Sequence, residues 1–140
     1  MNVERAIHSH AAWTARLIAY LAKPNRSLDP GKLEGHGRCE LGQWIQEQGG
    51  KFAADAAFAD LKREHENFHR AAAEVVRRAS SGKAVSARIS LGAQSAYASA
   101  LFKMEQALFQ LNENILKEAA NRHTWRRSAL TSFHPFESQR

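Results

Sequence analysis

Residues Phe58 to Ala79 read FADLKREHENFHRAAAEVVRRA, and their spacing decides the fold. Phe58, Leu61, His65, Phe68, Ala72, Val75 and Ala79 recur at alternating steps of three and four, the period of a helix face turned toward a core. The spacing predicts a long helix from about Ala53 or Ala54 to Ala79, closed by Ser80-Ser81-Gly82. It also puts chemistry on that face. Residues four apart on a helix stand about 5–6 Å from one another on one side, so His65 and His69 can aim two imidazoles at one point in space. That is a metal-ligand spacing.

Upstream, Cys39-Glu40-Leu41-Gly42-Gln43-Trp44 opens a short helix expected over Glu40 to Gln48 and stopped by Gly49-Gly50. Cys39 is the only cysteine in 140 residues, so an intrachain disulfide is excluded and its sulfur is free to act as a ligand or a reactive group. Its place before a helix favours the thiolate. Residues 24–38, broken by Pro24, Pro30, Gly31, Gly35 and Gly37, read as a loop tucked onto the bundle by Leu28 and Leu33. The first helix, Val3 to about Lys23, carries the seam Val3, Ile7, His10, Thr14, Leu17, Leu21. The last is expected from about Val85 to Asn121, with Leu91, Ala98, Leu101, Met104, Leu108, Leu111 and Ile115 on one side. At about 1.5 Å per residue it reaches about 55 Å against about 30 Å for the first, so it must overhang, bend near Gly92 or pack on something else.

With three prolines and no period-2 run of β-branched residues, the class is all-α: an antiparallel four-helix bundle with a short extra helix that carries the cysteine. The expected organisation is one bundle domain over residues 1–122 and a tail over 123–140. The chain opens on a polar, charged amphipathic stretch with no apolar core of a signal peptide, and no apolar run approaches the roughly 18 residues of a membrane span. A cytoplasmic protein without membrane insertion is expected, and a lone cysteine suits a reducing compartment. The net charge of +6 is spread among acids except at Arg122, Arg126 and Arg127, and no recognition motif accompanies it, so nucleic-acid binding is not expected.

A lone histidine on an apolar seam is more often a hydrogen-bonded core residue than a ligand. Here, however, His10 and His65 occupy core-facing positions of separate helices, and those seams hold no acidic partner. Two buried imidazoles, a third beside them in His69 and the Cys39 thiol would leave several costly polar groups unexplained, whereas one shared metal explains all four. Trp13 and Trp44 read as core aromatics that also wall the site from water. His8, His36, His123 and His134 have no supporting pattern and read as surface residues.

The segments His10-Ala11-Ala12-Trp13, Cys39-Glu40-Leu41-Gly42-Gln43-Trp44 and His65-Glu66-Asn67-Phe68-His69, in this order, resemble the signature of the chemoreceptor zinc-binding domain over roughly residues 3–120. The resemblance implies a four-helix fold with one zinc held by His10, Cys39, His65 and His69. It further implies a regulatory domain of bacterial chemoreceptors or diguanylate cyclases, often a homodimer, that senses zinc or oxidants such as hypochlorous acid in chemotaxis or cyclic-di-GMP signalling. These residues hold neither a signalling coiled coil nor a cyclase domain, so a stand-alone regulator and a piece of a larger protein are both open. The competing readings are a metal-dependent helical-bundle enzyme or oxygen-binding bundle, and a structural partner-binding bundle with incidental histidines. A shell of three imidazoles and one thiolate favours the non-catalytic sensor, because catalytic zinc keeps a position open for water.

Overall fold

The computed structural model describes residues 2–83 and 86–131. Among them the chain is all-α: α1 (Val3–Ala22), α2 (Pro30–Glu34), a 3-10 turn (His36–Arg38), α3 (Glu40–Gln48), α4 (Ala56–Ser80), α5 (Ala87–Leu91) and α6 (Ala96–Thr131). The caps follow from the sequence. Asn2, Asp29 and Asp55 each accept a backbone N–H of the first turn of α1, α2 and α4. Gly82, at φ 76°, supplies the left-handed residue after α4.

The central element is α4. Every residue of its expected seam is buried, with Leu61, His65, Phe68 and Ala72 at 0–1 % exposure. Burying each of the larger apolar side chains contributes about 1.5–3 kcal/mol, so this face holds the bundle together. On one side α6 runs antiparallel to α4: Asn114 donates to the Asp55 carboxylate near the start of α4, and Tyr97 packs on Phe68. On the other side α1 runs alongside α4 in the same direction, because His10 lies against His65 and His69 while Tyr20 bonds to Ser80. The chain between α1 and α4 must therefore return along the bundle, and that crossover carries Cys39.

This crossover is more ordered than a loop. Asp29 and Pro30 start α2, whose Leu33 is buried, and Glu34 pairs with Arg77 of α4. The long C-terminal helix of the sequence reading is divided. A Cβ on Gly92 would lie 2.1 Å from the Arg88 carbonyl oxygen, so the chain turns sharply there, ending α5 before α6 begins. In turn α6 runs to Thr131, beyond the expected end at Asn121, and its residues from Leu116 onward are all exposed. They project about 24 Å along the helix axis. The helix thus continues across the boundary expected at residue 122. No helix among the described residues is long and apolar enough to cross a membrane.

Candidate metal centre

The crossover and the two parallel helices bring four side chains to one place. From α4, His65 and His69 stand one turn apart with ring centroids 4.6 Å from each other. From α1, the His10 ring lies 5.2 Å from His65 and 5.7 Å from His69. Between them Cys39 sets its Sγ 3.1 Å from His65 Nε2 and 3.7 Å from the Nε2 atoms of both His10 and His69. One donor atom from each of the four lies within 4.8 Å of all the others.

The outward nitrogens fix the rings. His10 Nδ1 donates to the Ala6 carbonyl and His69 Nδ1 to the Leu33 carbonyl, each at 2.7 Å. A carbonyl only accepts, so the proton is on Nδ1 and, in the neutral ring, Nε2 presents its lone pair toward the sulfur. Such carbonyl bonds orient imidazoles for metal binding. Burial keeps the rings neutral: it pushes His65 down to about 2, helped by the neighbouring His69, His10 and His36, and it lowers His10 and His69 as well.

Cys39 is the N-cap of α3. Its Sγ accepts the Gly42 N–H at 3.3 Å, as the helix-end position led one to expect. Burial nevertheless outweighs these donors and pushes the thiol up rather than down. The helix end alone does not generate the thiolate.

The Cys-x-Leu-Gly-x-Trp segment now has a physical reading. Leu41 is buried in the core, and Trp44 packs on Phe52 and Phe58 at 5.8 and 6.3 Å. At position 42 a Cβ would stand 1.8 Å from the His36 carbonyl oxygen, so only glycine lets α3 start this close to the turn before it. Both tryptophans pack against the core as expected, and their ring contacts among the described residues are with groups other than the imidazoles. Trp44 belongs to the Phe52–Phe58 cluster, and Trp13 is half-buried under the Arg16 guanidinium at 3.9 Å. The apolar wall is Phe68, 5.4 Å from His10 and 5.5 Å from His69, backed by Tyr97, whose hydroxyl bonds Thr14 at 2.9 Å.

Two neighbours were missing from the sequence expectations. His36, read as a surface residue, has its ring 6.0 Å from His65. Glu66 stands three residues before His69, a Glu-x-x-His spacing found in carboxylate bundle sites. Its carboxylate lies 3.8 Å from His36 Nε2, and no carboxylate belongs to the four-donor group. Among the other histidines, His8 and His123 are exposed, and His134 lies outside the described residues.

The donor set fits zinc. With bonds of about 2.0 Å to nitrogen and 2.3 Å to sulfur, a tetrahedral ion has nitrogen-to-sulfur edges of about 3.5 Å, and the edges here are 3.1, 3.7 and 3.7 Å. Residues 10–76 match the family model described as the chemoreceptor zinc-binding domain, a span that contains all four donors and leaves α5 and α6 outside it. No curated protein and no solved structure matches the chain. Over residues 10–76, just under half of the chain, the sequence is therefore similar to the chemoreceptor zinc-binding domain family, a regulatory family that binds zinc.

Proposed function

We propose that the protein is a zinc-binding sensor module of the cytoplasm, without catalytic activity, whose zinc ligands are His10, Cys39, His65 and His69. The observation that carries this reading is the convergence of three imidazoles, two of them oriented by carbonyl bonds, and one sulfur, with one donor atom of each within 4.8 Å of the others. Four such donors complete a tetrahedral shell, which leaves no place for the water a hydrolytic site requires. The enzyme alternative is further disfavoured by Glu66, the carboxylate with suitable spacing, which faces His36 instead. Zinc in this place supplies a tie between α1, α4 and the crossover, and it favours the thiolate form of its sulfur ligand.

Cys39 is the reactive member. A two-electron oxidant of the hypochlorous acid class delivers its oxygen to the thiolate sulfur, chloride leaves, and the sulfenic acid that results is a weaker ligand. Loss of zinc acts on the same tie. Either event frees the stretch from Gly35 to Gln48, because α2 keeps its own fastening through buried Leu33 and the Glu34–Arg77 pair. The test is hydrogen exchange on the wild type, with and without chelator or oxidant, and on Cys39→Asp. Protection is expected to fall first within residues 35–48. Equal protection in every state would rule the switch out.

The output element we favour is α6, which meets the site through the Tyr97–Phe68 contact and continues past the bundle as an exposed helix; the effector proposed for it is a chemoreceptor or a diguanylate cyclase. A second copy of the chain is the partner proposed for its exposed side. Leu111 and Ile115 pack into the core of this chain and are not available to it. Phe102, Phe109, Leu116 and Leu130 remain 54–80 % exposed and share one line at multiples of seven residues, the repeat of a helix pair. A homodimer at micromolar concentration is the expected result in light scattering, with Phe109→Glu shifting it toward monomer. A wild-type chain that is monomeric under those conditions overturns the assignment.

A further inference from the structure

His36 takes no part in the four-donor site, yet the fold delivers it there. We propose that His36 is a reserve ligand, which moves into the fourth position when the Cys39 sulfur no longer donates; this rests on the zinc-site reading above.

His36-Gly37-Arg38-Cys39 separates two potential ligands by two residues, the close chelating spacing that recurs in zinc loops. The ring already stands edge-on to His65, with centroids 6.0 Å apart and planes at 88°. The backbone under it is held in place, since the His36 carbonyl fills the space that a Cβ on Gly42 would need. From that fixed backbone, the proposed move is a turn of the side-chain torsions.

What keeps it outside is weak. The partner of Nε2 is the Glu66 carboxylate at 3.8 Å, beyond good hydrogen-bond distance, and the two side chains are 42 % and 34 % exposed. A neutral imidazole tethered this close competes at high effective concentration for a vacated position on a metal that accepts nitrogen as readily as sulfur. The consequence is specific. Losing the sulfur changes the ligand set and turns His36 inward, away from Glu66, while the zinc stays bound.

The test uses the full chain as wild type, His36→Ala, Cys39→Ala and the double variant. Zinc affinity is read by competition with a chromophoric chelator, and geometry from the cobalt(II) spectrum. His36→Ala alone is expected to bind within about twofold of wild type, as a residue outside the resting shell should. Cys39→Ala should bind more weakly but keep one metal in four-coordinate geometry, without the sulfur-to-cobalt charge-transfer band. The double variant should lose about a further tenfold or more. A double variant equal to Cys39→Ala in affinity and spectrum overturns the proposal.

Failure of the underlying zinc site looks different. In that case Cys39→Ala binds as tightly as wild type, and the wild-type cobalt protein lacks the charge-transfer band. If the double variant does not fold, imidazole nitrogen shifts of zinc-loaded Cys39→Ala decide. A metal-bound signal from a fourth histidine supports the exchange, and three such signals, as in wild type, overturn it.

Discussion

Stripping the metal with a chelator is expected to lower the melting temperature of this protein by on the order of 10 °C or more. The four donors come from α1, α4 and the cap of α3, three segments that share little else at this point of the bundle. A ligand held at a thousand times its dissociation constant adds about 4 kcal/mol to stability, and each kcal/mol moves the midpoint of a domain this size by a few degrees. Without the metal, three imidazoles and a thiol remain packed against one another with their Nε2 and Sγ atoms turned inward. Cys39→Ala should lower the midpoint too, though less than His65→Ala combined with His69→Ala, since the latter removes two of the four donors. Calorimetry together with metal analysis, for which one zinc per chain is the expected content, checks this. A well-folded, metal-free chain whose melting curve ignores chelator would sink the reading.

The parts of this arrangement that were legible in the sequence are those governed by helical period. The α4 seam from Phe58 to Ala79 is buried throughout, and the step of four between His65 and His69 carries over directly into neighbouring rings. His10 could be placed because a core seam turns its ring inward. What period cannot convey is the path of the chain between helices. Leu33 is buried as its place in the segment leads one to expect, but the five residues of α2 are too few to show a repeat, so the cap at Asp29 and the bond from His69 to the Leu33 carbonyl have no signature beyond an Asp-Pro pair. His36 depends on the same crossover: its approach to His65 follows from a single 3-10 turn, and a surface position was the natural reading.

The end of α6 failed for the opposite reason. Its apolar seam stops at Ile115, which puts the expected end near Asn121. Residues such as Leu116, Lys117, Glu118, Ala119 and Ala120 nevertheless have high helix propensity, and they extend a helix that is already nucleated without burying anything. The expected α6 seam runs through Ala98 and Leu101, whereas the packed face also includes Tyr97, Ala100 and Ala107. Glu66 shows a limit of another kind. Its spacing to His69 suits a carboxylate metal site, and only its direction, toward His36, separates it from one.

The most disruptive conservative change expected in the chain is Gly42→Ala. The added methyl would meet the His36 carbonyl oxygen at 1.8 Å, its carbon at 2.9 Å and the Gly37 Cα at 3.0 Å, all of them backbone atoms that no rotamer change can move aside. The first turn of α3 must then withdraw from the 3-10 turn, and its cap is Cys39, whose sulfur sits only 3.1 Å from His65 Nε2. A shift of an ångström therefore costs twice, in packing and in the metal shell. The expected result is a loss of about 2–3 kcal/mol in stability and about tenfold or more in zinc affinity. Gly50→Ala is the matched control, because a Cβ there meets nothing within 4 Å, and it should change stability by no more than about 1 kcal/mol. Chemical denaturation with and without zinc separates the two contributions. If Gly42→Ala unfolds and binds zinc like the wild type, then α3 does not need its close seat on the turn, and the placement of Cys39 must be held by something other than this contact.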